Sequence, residues 1–142
     1  MTIVPPTVDT GALGALEELC ALGYTLAIVS NTMRTPGVAL RKILERYRLL
    51  GCFKHTTFSD EVGIRKPDPE IFAMTLRAVG GEPGRSLHVG DDPVLDVQGA
   101  RAAGMRVVQV TEAGITAMGV YGPDAVVRSL VDLPEAVAAL DV

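Results

Sequence analysis

Short apolar runs alternate along this chain with amphipathic segments of roughly a dozen residues, each carrying its own start and stop signals, and this alternation restricts the fold more than any other feature. Tyr24 to Val29 is a nearly continuous apolar run that ends in Ser30-Asn31-Thr32, as a strand covered on both faces requires. Ser86 to Gly90 and Arg106 to Val110 read as further strands, and His55 to Ser59 as a shorter one. Between them lie predicted helices. Gly11 to Leu22 places Leu13, Leu16, Leu19, Cys20 and Leu22 at helical spacing and stops at Gly23. Pro36 to Leu50 follows Thr35 as a candidate N-cap, with Gly51 as its stop. Asp68 caps a helix that opens on Pro69 and runs to Val79, ended by Gly80-Gly81. Asp92 to Ala103, with Pro93 at its start, is the next helix. A β-α-β-α order with short turns implies a parallel sheet with helices on both faces, a Rossmann-like three-layer α/β fold. The tail adds an edge strand at Ala125 to Arg128 and a last helix from Pro134 to Leu140.

The 142 residues suit one domain with a real core. Mean hydropathy is +0.30, yet every apolar run is broken well short of the roughly 18 residues a membrane span needs. The segment Met1 to Pro6 has neither a basic region nor a long apolar stretch, so a cytoplasmic location is expected. A net charge of −4 and a pI near 5.1 argue against a nucleic-acid partner, whose phosphates demand a basic surface. Arg41, Lys42, Arg46 and Arg48 form the one basic cluster and read as the solvated face of a helix. Cys20 and Cys52 lack metal-ligand spacing and read as idle thiols rather than a disulfide.

Chemistry concentrates at Leu87 to Asp96, where Asp91, Asp92 and Asp96 crowd one turn between a strand and a helix. Like charges at this density repel unless a cation compensates, and a hard divalent ion such as Mg²⁺ is the natural candidate. In open parallel sheets ligands bind beyond the carboxyl ends of the strands. Ser30-Asn31, Lys66 and Asp91-Asp92 all fall on that rim. A hydroxyl to hold phosphate oxygens, a lysine to neutralise charge and carboxylates for Mg²⁺ suit phosphoryl chemistry. Structural readings stand beside these: Ser30 and Asn31 as turn residues, Lys66 as a surface lysine, and Asp68 and Asp92 as N-caps. His88, inside an apolar run, reads as a satisfied buried imidazole; Asp60 and Glu61 read as loop acids.

Three segments carry a more specific likeness: Ala27 to Asn31, Arg65 to Phe72, and Val89 to Asp96 followed by Gly99 to Met105. In this order they resemble the second, third and fourth motifs of the haloacid dehalogenase (HAD) superfamily, over roughly Thr7 to Val110. The resemblance implies a phosphatase-type hydrolase core. Ser30 would bind the transferred phosphoryl group with Asn31 beside it, and Lys66 would stabilise its charge. Asp91 would ligate Mg²⁺, Asp96 would bind or orient around the metal, and Asp92 would assist.

The superfamily's first motif, an apolar strand ending in Asp-x-Asp, supplies the nucleophilic carboxylate, and this chain contains no such segment. Asp9, in Val8-Asp9-Thr10-Gly11, is the nearest candidate and reads better as part of the loop feeding the first helix. In the superfamily that strand is central. Its loss leaves buried strand edges to be filled, at about 1–3 kcal/mol for each unsatisfied group, by Met1 to Val4, by a second subunit or by a partner chain. A single HAD-like core over residues 1–142 without a cap domain is therefore expected, inactive or very weak by itself as a truncated or split enzyme. The other reading is a pseudo-enzyme that keeps the fold as a binding or dimerisation module. If active, its substrate would be a small phosphorylated metabolite.

Overall fold

The computed structural model describes residues 12–32, 36–46, 48, 50–111 and 122–140. In chain order the elements are α1 (Ala12–Ala21), β1 (Ala27–Ser30), α2 (Gly37–Arg46), β2 (His55–Phe58), α3 (Ser59–Val62), α4 (Pro69–Val79), β3 (Leu87–Gly90), a π-helical turn (Pro93–Gln98) running into α5 (Gly99–Ala102), β4 (Arg106–Val110), β5 (Ala125–Val127) and α6 (Leu133–Leu140). All strand pairs are parallel. β1 pairs with β2 so that Ser30 stands opposite Phe58. β3 pairs with β4, bringing Gly90 opposite Gln109, and β4 pairs with β5. Among the described residues the strands therefore form two sets, β1-β2 and β3-β4-β5. The expectation placed on Met1 to Val4 lies outside the described residues, as does Asp9.

Alternation along each strand divides the core into two layers. Ile28, Val89, Val108 and Val127 face the side where α1 contributes Leu16 and Leu19, α2 contributes Leu40 and Leu44, and α6 contributes Val137. Val29 and Val107 face the opposite side, against Ile71, Phe72 and Leu76 of α4 and Ala100 of α5. This is the expected three-layer α/β sandwich, and helices on both faces explain why the strands read as continuous apolar runs.

Most punctuation acts where expected. Asp68 accepts the Glu70 N–H at 2.9 Å, and Gly80, at φ 71°, closes α4 by donating to the carbonyls of Leu76 and Arg77. The strand expected from Tyr24 begins only at Ala27. The helix expected to reach Leu50 ends at Arg46; Arg48 adopts φ 59°, outside the right-handed helical region, and a 3-10 turn spans Leu50–Cys52. Thr35 lies outside the described residues, but the Gly37 N–H at the start of α2 donates to the Asp60 carboxylate at 3.1 Å. Asp60 and Glu61 are thus not loop acids. They belong to the single-turn α3, and Glu61 takes both terminal nitrogens of Arg41, whose guanidinium also lies 4.9 Å from the Phe58 ring centroid. Arg41 therefore belongs to a packed junction rather than to a merely solvated face. Both cysteines are free thiols. No described helix is long and apolar enough to cross a membrane.

Candidate functional site

The acidic turn departs from a regular α-helix. Asp92 caps it as expected, its carboxylate accepting the Val94 and Leu95 N–H groups at 2.8 Å each. The Asp92 carbonyl then accepts from both Asp96 and Val97 at 3.1 Å, so an i+5 bond accompanies the i+4 bond and the turn widens to π geometry. The wide turn brings Asp96 back over the end of β3. A Cβ at position 90 would lie 2.2 Å from Asp96 Cγ, so only glycine admits that approach.

Asp96 is 1 % exposed and its carboxylate is the junction of the site. Oδ1 accepts from Lys66 Nζ at 2.6 Å and lies 2.8 Å from His88 Nε2, while Oδ2 accepts the Asp92 N–H at 3.0 Å. Burial would by itself raise the Asp96 carboxyl, but the His88 hydrogen bond and the Lys66 charge outweigh it and hold the group well below the usual carboxylate range. Burial pushes His88 down to about 4 against the opposing pull of Asp96, so its imidazole is neutral near pH 7. An ionised carboxylate only accepts; the neutral ring therefore donates from Nε2. His88 is buried as expected, and its Nε2 takes Asp96 as partner.

Lys66, read structurally as a surface residue, is only 4 % exposed. Its main chain is gripped from β1's side: Asn31 Nδ2 donates to the Lys66 carbonyl at 3.0 Å, and the Lys66 N–H donates to Asn31 Oδ1 at 2.8 Å. Thr32, next along, donates its N–H to Ser59 Oγ at 2.8 Å and its hydroxyl to Asp60, which links the loop after β1 to α3 and the start of α2. Ser30 closes β1 and is 7 % exposed. Asp91 is exposed just past β3, and its carbonyl accepts from the buried Gln109 amide at 3.2 Å.

The ends of β1 and β3 thus meet through a continuous chain of contacts, Asn31 to Lys66 to Asp96 to Asp92. Asn31 and Asp96 act within it on the lysine, and Asp92 acts on the turn. The sequence did not anticipate the His88–Asp96 bond or the Thr32–Asp60 link. A histidine within an apolar strand was the only signal for the first; the second joins residues 28 positions apart and left none.

The donor set fits a hard divalent cation in part. Mg²⁺ takes one or two carboxylates and completes its shell with water and phosphate oxygens. Asp91 suits that role by chemistry and exposure. Asp96 and Asp92 already hold Lys66 and the helix start, and among the described residues no three acidic, histidine or cysteine side chains gather as a metal cage.

A three-layer α/β core that collects a serine, a buried lysine and an acidic turn beyond its strand ends is a Rossmann-like protein, and in such folds ligands bind at that rim. The haloacid dehalogenase-like hydrolase model matches residues 5–104, and the chain belongs to that family. It is 40 % identical over 100 residues to a phosphoserine phosphatase of Thermus thermophilus, and 37 % identical over 98 residues to a glyceraldehyde 3-phosphate phosphatase of Pyrococcus abyssi. The matches cover 67 % and 69 % of this chain but only 37 % and 40 % of those proteins, so the chain spans well under half the length of these relatives. The fold superposes on a HAD phosphatase from Thermococcus onnurineus with a TM-score of 0.80 at 32 % identity, covering 92 % of this chain and 58 % of that one.

Proposed function

We propose that this chain provides the phosphoryl-holding and cation-holding side of a Mg²⁺-dependent phosphomonoester hydrolase acting on a small phosphorylated metabolite. The observation that carries this reading is the nearly buried Lys66, fixed at main chain and side chain, on the rim that Ser30 and Asp91 share. The phosphatase relatives support the same reaction class. Ser30 hydrogen-bonds a phosphoryl oxygen and Lys66 offsets the charge that builds on it. Asn31 serves the phosphate through the lysine it holds. Asp91 is the ligand this chain offers to Mg²⁺, with Asp96 and Asp92 setting the turn around it; the ion, when bound, supplies further positive charge to the phosphoryl oxygens.

Hydrolysis through an aspartyl-phosphate needs a carboxylate nucleophile, and no Asp-x-Asp strand occurs in this sequence. On this reading the chain binds phosphate and, without that carboxylate, turns over phosphomonoesters very weakly or not at all by itself. The test is a p-nitrophenyl phosphate assay of the pure protein with and without Mg²⁺, beside a titration with inorganic phosphate. Phosphate binding lost in Lys66→Met, with negligible turnover, is the expected result. Mg²⁺-dependent turnover abolished by Asp9→Asn overturns the inactivity, and absence of phosphate binding favours the pseudo-enzyme module instead.

A further inference from the structure

His88 has no part in the roles assigned above, yet it is fully buried at the centre of the site's support. Its ring meets Phe72 edge-on, with centroids 4.9 Å apart and an interplanar angle of 78°, so the imidazole is held in one orientation by packing from α4. Its Nε2 shares Asp96 Oδ1 with the Lys66 ammonium, while the Asp92 N–H takes the other oxygen. One carboxylate is thereby fixed by donors from three places in the chain: β3, the loop before α4 and the start of the π turn. A lysine side chain has four rotatable bonds, and its ammonium is directional only if its acceptor is. The lysine cannot by itself fix the acceptor that directs it; the Asp92 N–H holds Oδ2, and His88 is the second donor that fixes Oδ1, the oxygen the ammonium uses.

We propose that His88 is a positioning residue that aims the Lys66 ammonium by fixing Asp96, without touching substrate. The function of the aimed lysine rests on the phosphatase reading; the aim itself does not. A neutral donor suits the task, because a second full positive charge would compete with Lys66 for the carboxylate and repel its ammonium. Glutamine in place of His88 retains an N–H donor of similar reach, whereas leucine retains apolar bulk and removes the donor.

The test uses the full chain with inorganic phosphate as probe, together with the ¹⁵N-edited signal of the Lys66 ammonium in phosphate-free protein. His88→Leu is expected to weaken phosphate binding about tenfold and to lose the slowly exchanging ammonium signal, while His88→Gln stays within about threefold and keeps it. Wild-type behaviour in the leucine variant overturns the proposal; so does a glutamine variant that falls as far as leucine, since ring packing would then be the cause. Should the leucine variant fail to fold, the glutamine variant and the ring tautomer decide: a proton on Nε2 of wild-type His88 supports the proposal and a bare Nε2 overturns it. If wild-type protein binds no phosphate, the phosphatase reading fails, and the ammonium signal still decides the case of His88.

Discussion

The Asn31 side chain binds the main chain of Lys66 with both of its polar atoms, taking its N–H and giving to its carbonyl as a neighbouring strand would. An amide at the end of one strand thus substitutes for backbone pairing in a loop that has no strand of its own, and it sets where the lysine begins its reach.

Replacing Asn31 by Ala removes both bonds and leaves a half-buried peptide unit without them. We expect a loss of about 1–3 kcal/mol in urea unfolding and a weaker phosphate titration. Asn31→Asp retains the acceptor and loses the donor, and should fall between the two in both measurements.

Lys66 and Asp96 are 4 % and 2 % exposed at their side chains, so removing one leaves the other as an uncompensated buried charge. Lys66→Met is expected to cost about 3–5 kcal/mol, and Asp96→Leu a similar amount. The double variant should be less destabilised than the sum of the singles, which a double-mutant cycle by chemical denaturation measures directly.

Stability should fall with acid in a defined window. The His88 pKa is depressed when folded, so the unfolded chain binds the extra proton first and the neutral ring's contribution is complete above about 6.5. It is lost progressively as pH drops to about 4, and the Asp96 contribution, also from a depressed group, is lost only at still lower pH. Urea midpoints should hold above a pH of about 6.5 and decline from there to about 4. The decline should be shallower in His88→Gln.

Gly90→Ala places a methyl group against the Asp96 carboxylate and is expected to cost about 1–3 kcal/mol while weakening phosphate binding. Gly14→Ala is the control. Position 14 lies on the exposed side of α1 with no atom within 4 Å of the added carbon, so alanine there should stabilise the fold by about 0.5–1 kcal/mol.

The order and kind of the main elements were legible because local signals and burial agreed. Pro69 behind Asp68 and Pro93 behind Asp92 marked helix starts that the structure keeps, and apolar runs without alternation correctly implied strands covered on both faces. Ends were less legible: Tyr24 to Leu26 run into the strand with no turn residue between them, and no residue type announces the left-handed Arg48. The short α3 was missed because four residues are too few to show a period. At the rim, sequence position identified Ser30, Asn31, Lys66 and the three aspartates as neighbours, but it could not say which way each side chain faces. Asn31 and Asp96 turn toward Lys66 through contacts between residues 35 and 30 positions apart, and the pattern of types along the chain carries no record of them.

The π turn makes segment length a functional quantity. With one residue fewer between Asp92 and Asp96 the backbone would relax to ordinary α spacing, and the carboxylate would swing by about 100° around the helix axis, away from both lysine and histidine. Side chains such as Val94 and Leu95 can therefore vary widely, whereas a single deletion would disconnect the rim from its support even if every recognised residue survived.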